Sequence, residues 1–367
     1  MAGHTVTRAQ VLAFRARAHS LDRRRPARDL LDVVAACGIQ DTPPGNADVS
    51  LAARLDIGAP TAGPAIESRE VAVTWAMRGA PHLVPAADLP VFTLGARPGE
   101  DTVHGQWGQP AGALAAVERA MVGSLRAKPR SKAEVSGAAT ASLPAELAPY
   151  CRPCDIHHPA ESLFRAAPSL GRIVLASTAP VMLVRAKVWL GSDAQGDPDA
   201  LGVELVRRYL HCYGPSTPGH FAEWAGVARS DAAERWEAVT GELVPVRTDR
   251  HAFVLAEDLD ALKGVEPVRG VLLLPAKDVF LQARDRELMF ADKDSRRAVF
   301  PQLGGPGVVL VDGEPRATWR GAAKGRRYEV RVEPLSRIAK AARSAIEAEA
   351  ERVAGVRGHE SATVTIM

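Results

Sequence analysis

Apolar positions recur on a helical period early in the chain and in short strand-like runs later. Val11, Leu12, Phe14 and Ala18 form one face, and Thr7-Arg8-Ala9-Gln10 before them is a capping box that starts a helix. A second helix is predicted over 27–36, with Leu30, Leu31, Val33 and Val34 inside and a stop before Gly38. Pro43, Pro44 and Gly45 forbid a helix or central strand over 39–46, which reads as an extended segment entering a surface turn. A short helix over 49–55 and a buried strand over 71–77 follow. Residues 126–131 are polar and proline-containing, and Ser131 with Glu134 is a second capping box that opens a new unit. Leu205, Val206, Tyr209 and Leu210 share a helical face. Thr217-Pro218 then starts a helix through Trp224, Gly226-Val227-Ala228 turns the chain, and Ser230-Asp231 caps a helix carrying Ala233, Trp236 and Val239. Two helices about a glycine turn make a helix-turn-helix pattern. Later the period becomes that of strands, predicted at 271–274, 279–283, 287–290, 308–311, 317–319 and 328–332. A closing helix over 336–354 is expected to stop at Gly355, with the last dozen residues loose.

Composition narrows the class. The 367 residues are 46% apolar and 24% charged, ordinary globular values that exclude disorder along the whole chain. The expected segments are an N-terminal unit over 1–126, two modules over 127–250, a β-rich part over 251–355 and a tail over 356–367. No run approaches the ~18 apolar residues of a membrane span, and residues 1–10 lack a secretory pattern. A cytoplasmic monomer without membrane contact is expected. Four cysteines are too few for a disulfide scaffold, so reduced thiols are the natural reading.

The net charge of +3 is unevenly spread. Segments 1–30 and 316–331 each carry +5, while 31–70 carries −4. Two basic patches around a more acidic stretch suit a polyanion gripped about a central site, and equally suit solvated surface charge.

Several separated segments together resemble one family. They are Gly38-Ile39-Gln40, Arg54-Leu55, Met77-Arg78-Gly79 with His82 and Asp88, Tyr213-Gly214-Pro215 with Phe221 and Trp224-Ala225-Gly226, Leu273-Leu274-Pro275 with Asp278, and Asp312-Gly313 with Thr318-Trp319-Arg320. In this order they resemble the bacterial winged-helix DNA glycosylases, AlkZ-type enzymes that resist azinomycin-like genotoxins and related crosslink-unhooking enzymes. The resemblance implies an α+β fold: tandem winged-helix modules and a barrel-like β-rich C-terminal part, C-shaped around double-stranded DNA. It implies excision of alkylated purines, bulky N7-alkylguanine adducts above all, by a monofunctional glycosylase without a cofactor.

The family signature is Gln-any-Gln, or Gln-any-Asp in the unhooking branch. Here the residues are Gln40-Asp41-Thr42, so the first position matches and the second departs. Ala80-Pro81 also departs from the Thr-Leu that often precedes the family's histidine. Gln40 and Thr42 are the catalytic candidates; residues two apart in an extended segment face the same way. The alternative is a plain turn in which Asp41 caps. Because Thr42 departs, a non-catalytic DNA-binding protein, a lesion sensor or regulator, is the chief rival reading. A small-molecule binder on the same frame is the third.

Candidate DNA contacts are Arg23, Arg24 and Arg25, the pair Arg78 and His82, and Arg284, Arg286, Arg296 and Arg297. Each also reads as solvated charge or, for Arg78 and His82, as a buried scaffold. Cys151-x-x-Cys154 with His157 and His158 has an incomplete zinc ligand set, so no metal is expected; one histidine is expected to cap the following helix instead.

Overall fold

The computed structural model describes residues 4–367. The fold is α+β, with helices and mainly antiparallel sheets in two compact units. Residues up to 65, 209–217 and from 242 onward form the first unit; 66–208 and 218–241 form the second.

In the first unit, helix Arg8–Ala18 starts at the Thr7–Gln10 capping box, as its sequence requires. Val11 and Phe14 pack with Val246, Val254 and Leu262. Leu12, Ala13 and Ala16 pack with Leu274, Phe280, Phe290 and Val308. Arg15 lies on the same buried face. It is tolerated there because its guanidinium makes 2.8 and 2.7 Å bonds to the two carboxylate oxygens of Asp285 and also reaches the carbonyls of Gly214 and Pro215.

The C-terminal sheet has five strands in the order Val271–Leu274, Gly307–Val311, Glu314–Lys324, Arg327–Pro334 and Ser361–Ile366. Its first and last strands are edges, so it is an open sheet and not the expected barrel. Three further expectations fail here. Val279–Gln282 is a 3-10 turn and Arg286–Met289 a helical turn, where strands were predicted. Both are short apolar runs whose period cannot separate helix from strand. The closing helix is Lys340–Val356 and runs through Gly355; the left-handed residue that ends it is Gly358, at φ +77°. The final residues are ordered, because Ser361–Ile366 pairs in parallel with Arg327–Val332.

In the second unit, Val71–Trp75 is buried along its whole length. It lies between Pro81–Pro85 and Ile173–Thr178, and the sheet continues through Val181–Arg185 to Arg130–Ser131. Ser131 and Glu134 form the expected capping box at the start of helix Lys132–Ser142. Helices Pro218–Ala225 and Arg229–Glu237 flank the Gly226 turn. Asp231 does not cap the latter helix. It accepts from the backbone N–H groups of Gly99 and Thr102.

Candidate active site

Helix Leu30–Ala35 gives way through Gly38, at φ +74°, to the two-residue strand Ile39–Gln40. Leu31, expected inside that helix, is 40% exposed. The extended segment is buried at Ile39, Gln40 and Asp41, and only the turn that follows, at Pro43 and Pro44, is exposed. Gln40 is 6% exposed, yet its Oε1 has no hydrogen-bond partner among the described residues, and neither has the buried Oγ1 of Thr42. Asp41 has a structural task. Its Oδ1 accepts the Ala47 N–H at 3.0 Å, in the first turn of helix Asn46–Arg54.

That helix fixes the segment. Asn46 Nδ2 donates to the Thr42 carbonyl at 3.2 Å and to the Ala276 carbonyl at 2.8 Å. Arg357 donates to Asn46 Oδ1. One turn further on, Ser50 Oγ donates to Asp278 at 2.7 Å, and Arg54 grips both oxygens of the same carboxylate. Burial alone would raise the Asp278 carboxyl pKa. The Arg54 charge and the hydrogen bonds from Arg54, Ser50 and the Phe280 N–H outweigh it and hold Asp278 ionised below its usual range.

Beside Pro43 and Pro44 lies a cleft of about 290 Å³, walled by Trp319, Arg320, Tyr328 and Arg357. Trp319 Nε1 donates to the Leu274 carbonyl at 2.7 Å, and Tyr328 stacks on His359 at 5.3 Å between ring centroids. Gly45 stands at φ +84°, where a Cβ would lie 2.7 Å from an Arg357 nitrogen. The glycine thus lets the guanidinium close on the turn. Sequence reasoning missed Tyr328 and Arg357 as neighbours of this turn. The Trp319-Arg320 dipeptide inside a basic strand was the one available signal.

The arginine candidates separate by environment. Arg23 is exposed. Arg24 is tied to Glu349 at 2.6 Å and to the Ala52 carbonyl, and Arg25 pairs with Asp29 and Asp32. Arg284 is half-buried. Arg286 lies 4.1 Å over the Phe300 ring. Arg296 donates to the Phe290 and Ala291 carbonyls, and Arg297 is exposed beside Asp294. These residues share the first unit with Gln40 and Thr42; Arg78 and His82 belong to the second.

Arg78 adopts φ +57° and donates to the Trp224 carbonyl. It lines a cavity of about 270 Å³ with Trp75, Trp107, Arg165 and Gly226. His82 is 2% exposed, and its Nδ1 bonds the Ala80 carbonyl at 2.8 Å. Burial, reinforced by the Arg78 charge, depresses its pKa to about 4 against the pull of that carbonyl. His82 is therefore neutral at pH 7, with its proton on Nδ1.

The structure changes the picture of the cysteines. Helix Glu161–Ala166 begins after Ala160 without a side-chain cap, so neither His157 nor His158 performs the expected capping. His158 instead joins Cys151 and Cys154, with all three potential ligand atoms within 4.8 Å of one another. A second, fully buried group of His19, Cys37 and Cys212 lies in the first unit.

No helix among the described residues is long and apolar enough to cross a membrane.

The fold matches the solved structure of Streptomyces sahachiroi DNA glycosylase AlkZ with a TM-score of 0.77 and 23% sequence identity, over 99% of this chain and 100% of that one. Over 178 residues the chain is 29% identical to the interstrand DNA cross-link repair glycosylase of Streptomyces sahachiroi. The aligned stretch spans about half the length of that curated relative, 47%, and 47% of this chain. Residues 33–356 match the family described as DNA glycosylase AlkZ-like. The chain belongs to the AlkZ-like DNA glycosylase family.

Proposed function

We propose that this protein is a monofunctional DNA glycosylase. It hydrolyses the N-glycosidic bond of cationic alkylpurines, bulky N7-alkylguanine adducts above all, in DNA repair or self-resistance to an alkylating genotoxin. One observation carries the reading. The side-chain oxygens of Gln40 and Thr42, at the two positions of the family's catalytic pair, are buried and have no hydrogen-bond partner among the described residues. Buried polar atoms are nearly always paired, and an orphaned one is explained by a bound water or ion, by strain or by a catalytic role.

The chemistry asks little of these groups. An alkylated purine carries positive charge and departs readily, so the bond breaks toward an oxocarbenium ion, as in sugar hydrolysis. The enzyme must position a water and stabilise charge at the sugar. Gln40 Oε1 accepts from that water while its amide orients toward the sugar. The Thr42 hydroxyl shares the water from a shorter reach. Neutral groups suffice because no strong base is needed.

Duplex binding is supported by the basic strand pair Glu314–Lys324 and Arg327–Pro334, where Arg320, Lys324, Arg327 and Arg331 are exposed. It is also supported by the order helix Ala113–Ser124, strand Arg130–Ser131, helices Lys132–Ser142 and Glu161–Ala166, then hairpin 173–185, which is the order of a winged helix. Interstrand cross-link repair, named for the relative, extends to this chain within the same proposal. The second reading is a lesion sensor, favoured by the single hydroxyl that Thr42 offers in place of an amide or carboxylate. Incubation with alkylated duplex DNA, followed by alkaline cleavage at abasic sites, separates the two. A chain that makes no abasic sites on any alkylpurine is not a glycosylase.

A further inference from the structure

We propose that Cys151, Cys154 and His158 form a zinc(II) site with three protein ligands and a fourth position open to solvent. A short hairpin presents them. Tyr150–Cys151 pairs with Ile156–His157, and the turn between them is tight. The N–H groups of Cys154 and Asp155 both donate to the Cys151 carbonyl, at 3.2 and 2.8 Å, and Asp155 takes a left-handed φ of +55°. This folds Cys154 back toward Cys151. His158 follows the second strand directly, and its Nδ1 makes a 2.7 Å bond to the Pro159 carbonyl. A neutral histidine with its proton on Nδ1 presents Nε2 as the lone-pair nitrogen. Metal-binding histidines are oriented by a carboxylate, a backbone carbonyl or a water on the other ring nitrogen, and here a carbonyl fills that role. His157 faces elsewhere, with its Nδ1 on the Ala148 carbonyl at 3.0 Å.

The spacing fits. The ligand atoms lie within 4.8 Å of one another. Tetrahedral zinc, with Zn–S of about 2.3 Å, places its ligands about 3.7 Å apart. Closing to that distance asks for side-chain rotations of an exposed hairpin and no rebuilding of the fold. Cys151 and His158 are half-buried and Cys154 is exposed, so the ion has a route in. Of the nearby carboxylates, Glu161 is held by Lys132 and Arg165 at 2.8 and 2.6 Å and Asp155 takes the Tyr150 hydroxyl, so the fourth position falls to water. The balance is simple. Zn²⁺ takes up two thiolates and one neutral imidazole, and two protons leave the thiols for solvent. No electron moves. The metal would staple hairpin 150–157 to the start of helix Glu161–Ala166, whose Arg165 bonds the Gly79 carbonyl and lies 5.2 Å over the Trp75 ring.

The test uses the full chain, reduced and purified without chelator, and reads zinc by elemental analysis. Cobalt(II) is then added to the metal-stripped chain to give thiolate charge-transfer absorption. One zinc per chain, lost together with the cobalt signal in Cys154→Ser and retained in the double variant Cys37→Ser, Cys212→Ser, supports the site. Three outcomes overturn it: substoichiometric metal after incubation with excess zinc, zinc that survives Cys154→Ser, or a Cys151–Cys154 disulfide that persists in the reduced preparation.

Discussion

Arg54 and Asp278 meet through two parallel hydrogen bonds, at 2.8 and 2.9 Å, with both side chains sealed from solvent. This pair joins the helix that carries the candidate catalytic turn to the chain just after strand Val271–Leu274. Breaking a buried pair from one side leaves the other charge unpaired, at about 3–5 kcal/mol. Arg54→Met and Asp278→Asn are each expected to lose stability of that order in urea titrations. Combining them should cost much less than the sum, because no lone charge then remains buried. The sign with acid follows from the depressed Asp278 pKa. The pair's contribution is present above the unfolded carboxyl value of about 4 and is lost as pH falls through the lower folded value.

Activity is expected to rest on Gln40 more than on Thr42. Removing one positioned catalytic hydrogen-bonding group typically lowers the rate by about 10²–10³. Gln40→Ala should slow N7-alkylguanine excision by that factor, and Thr42→Ala by less. Thr42→Gln, which restores the family pair, should raise activity. Abasic sites after alkaline cleavage give the rates. Wild-type speed in Gln40→Ala would remove this residue from the site and leave the family membership intact.

The same glutamine should show a trade of stability against function. Its carbonyl oxygen is buried without a partner among the described residues, and such a group costs ~1–3 kcal/mol. Gln40→Met keeps much of the volume and removes the polar atoms. It is expected to raise the thermal midpoint while slowing excision as much as Gln40→Ala does. A lower midpoint would mean that Gln40 is satisfied in the native fold.

His82 should make the protein acid-sensitive in a definite window. Its folded pKa of about 4 lies below the unfolded value near 6.5. Between these values the unfolded chain binds a proton that the folded chain refuses. Stability from this residue is therefore complete above about pH 6.5 and falls as pH drops toward 4, by roughly 3 kcal/mol in all. Denaturant midpoints at pH 7 and 5 should differ less in His82→Phe than in wild type. Equal differences would remove His82 as the cause.

Duplex binding should show little sequence preference and a steep salt dependence. The exposed arginines of strands Glu314–Lys324 and Arg327–Pro334 suit phosphates. Each replacement at Arg320, Arg327 or Arg331 by Gln is expected to reduce the slope of log K against log salt by about 1. Gel shifts on unrelated duplexes check both points. Tight choice of one operator sequence would favour a regulator.

Local signals carried much of the fold. The Thr7–Gln10 and Ser131–Glu134 boxes stand where expected because capping is decided within four residues. The 279–283 and 287–290 runs misled because burial, not alternation, sets their composition. Asp41 could be read as a cap, and Gln40 entered through resemblance. The burial of Gln40 was not legible. The turn after it is held through Asn46, which reaches the Thr42 and Ala276 carbonyls and accepts from Arg357, partners that no local pattern brings together.

The unit that holds the candidate turn is written discontinuously. Its pieces are the first 65 residues, 209–217 and everything from 242. Arg8 finds Glu314, Arg24 finds Glu349, and Asn46 finds Arg357. At a synthesis rate of roughly 10 residues per second, the Gln40 segment waits about half a minute for the last of these partners to be made. The inserted unit, 66–208 with 218–241, has all its residues sooner. Folding on the ribosome should therefore be ordered, with the insertion compact first and the candidate turn seated last. During that wait the early helices expose the apolar faces that they later bury, which makes this stage the chain's most vulnerable to chaperone demand and aggregation.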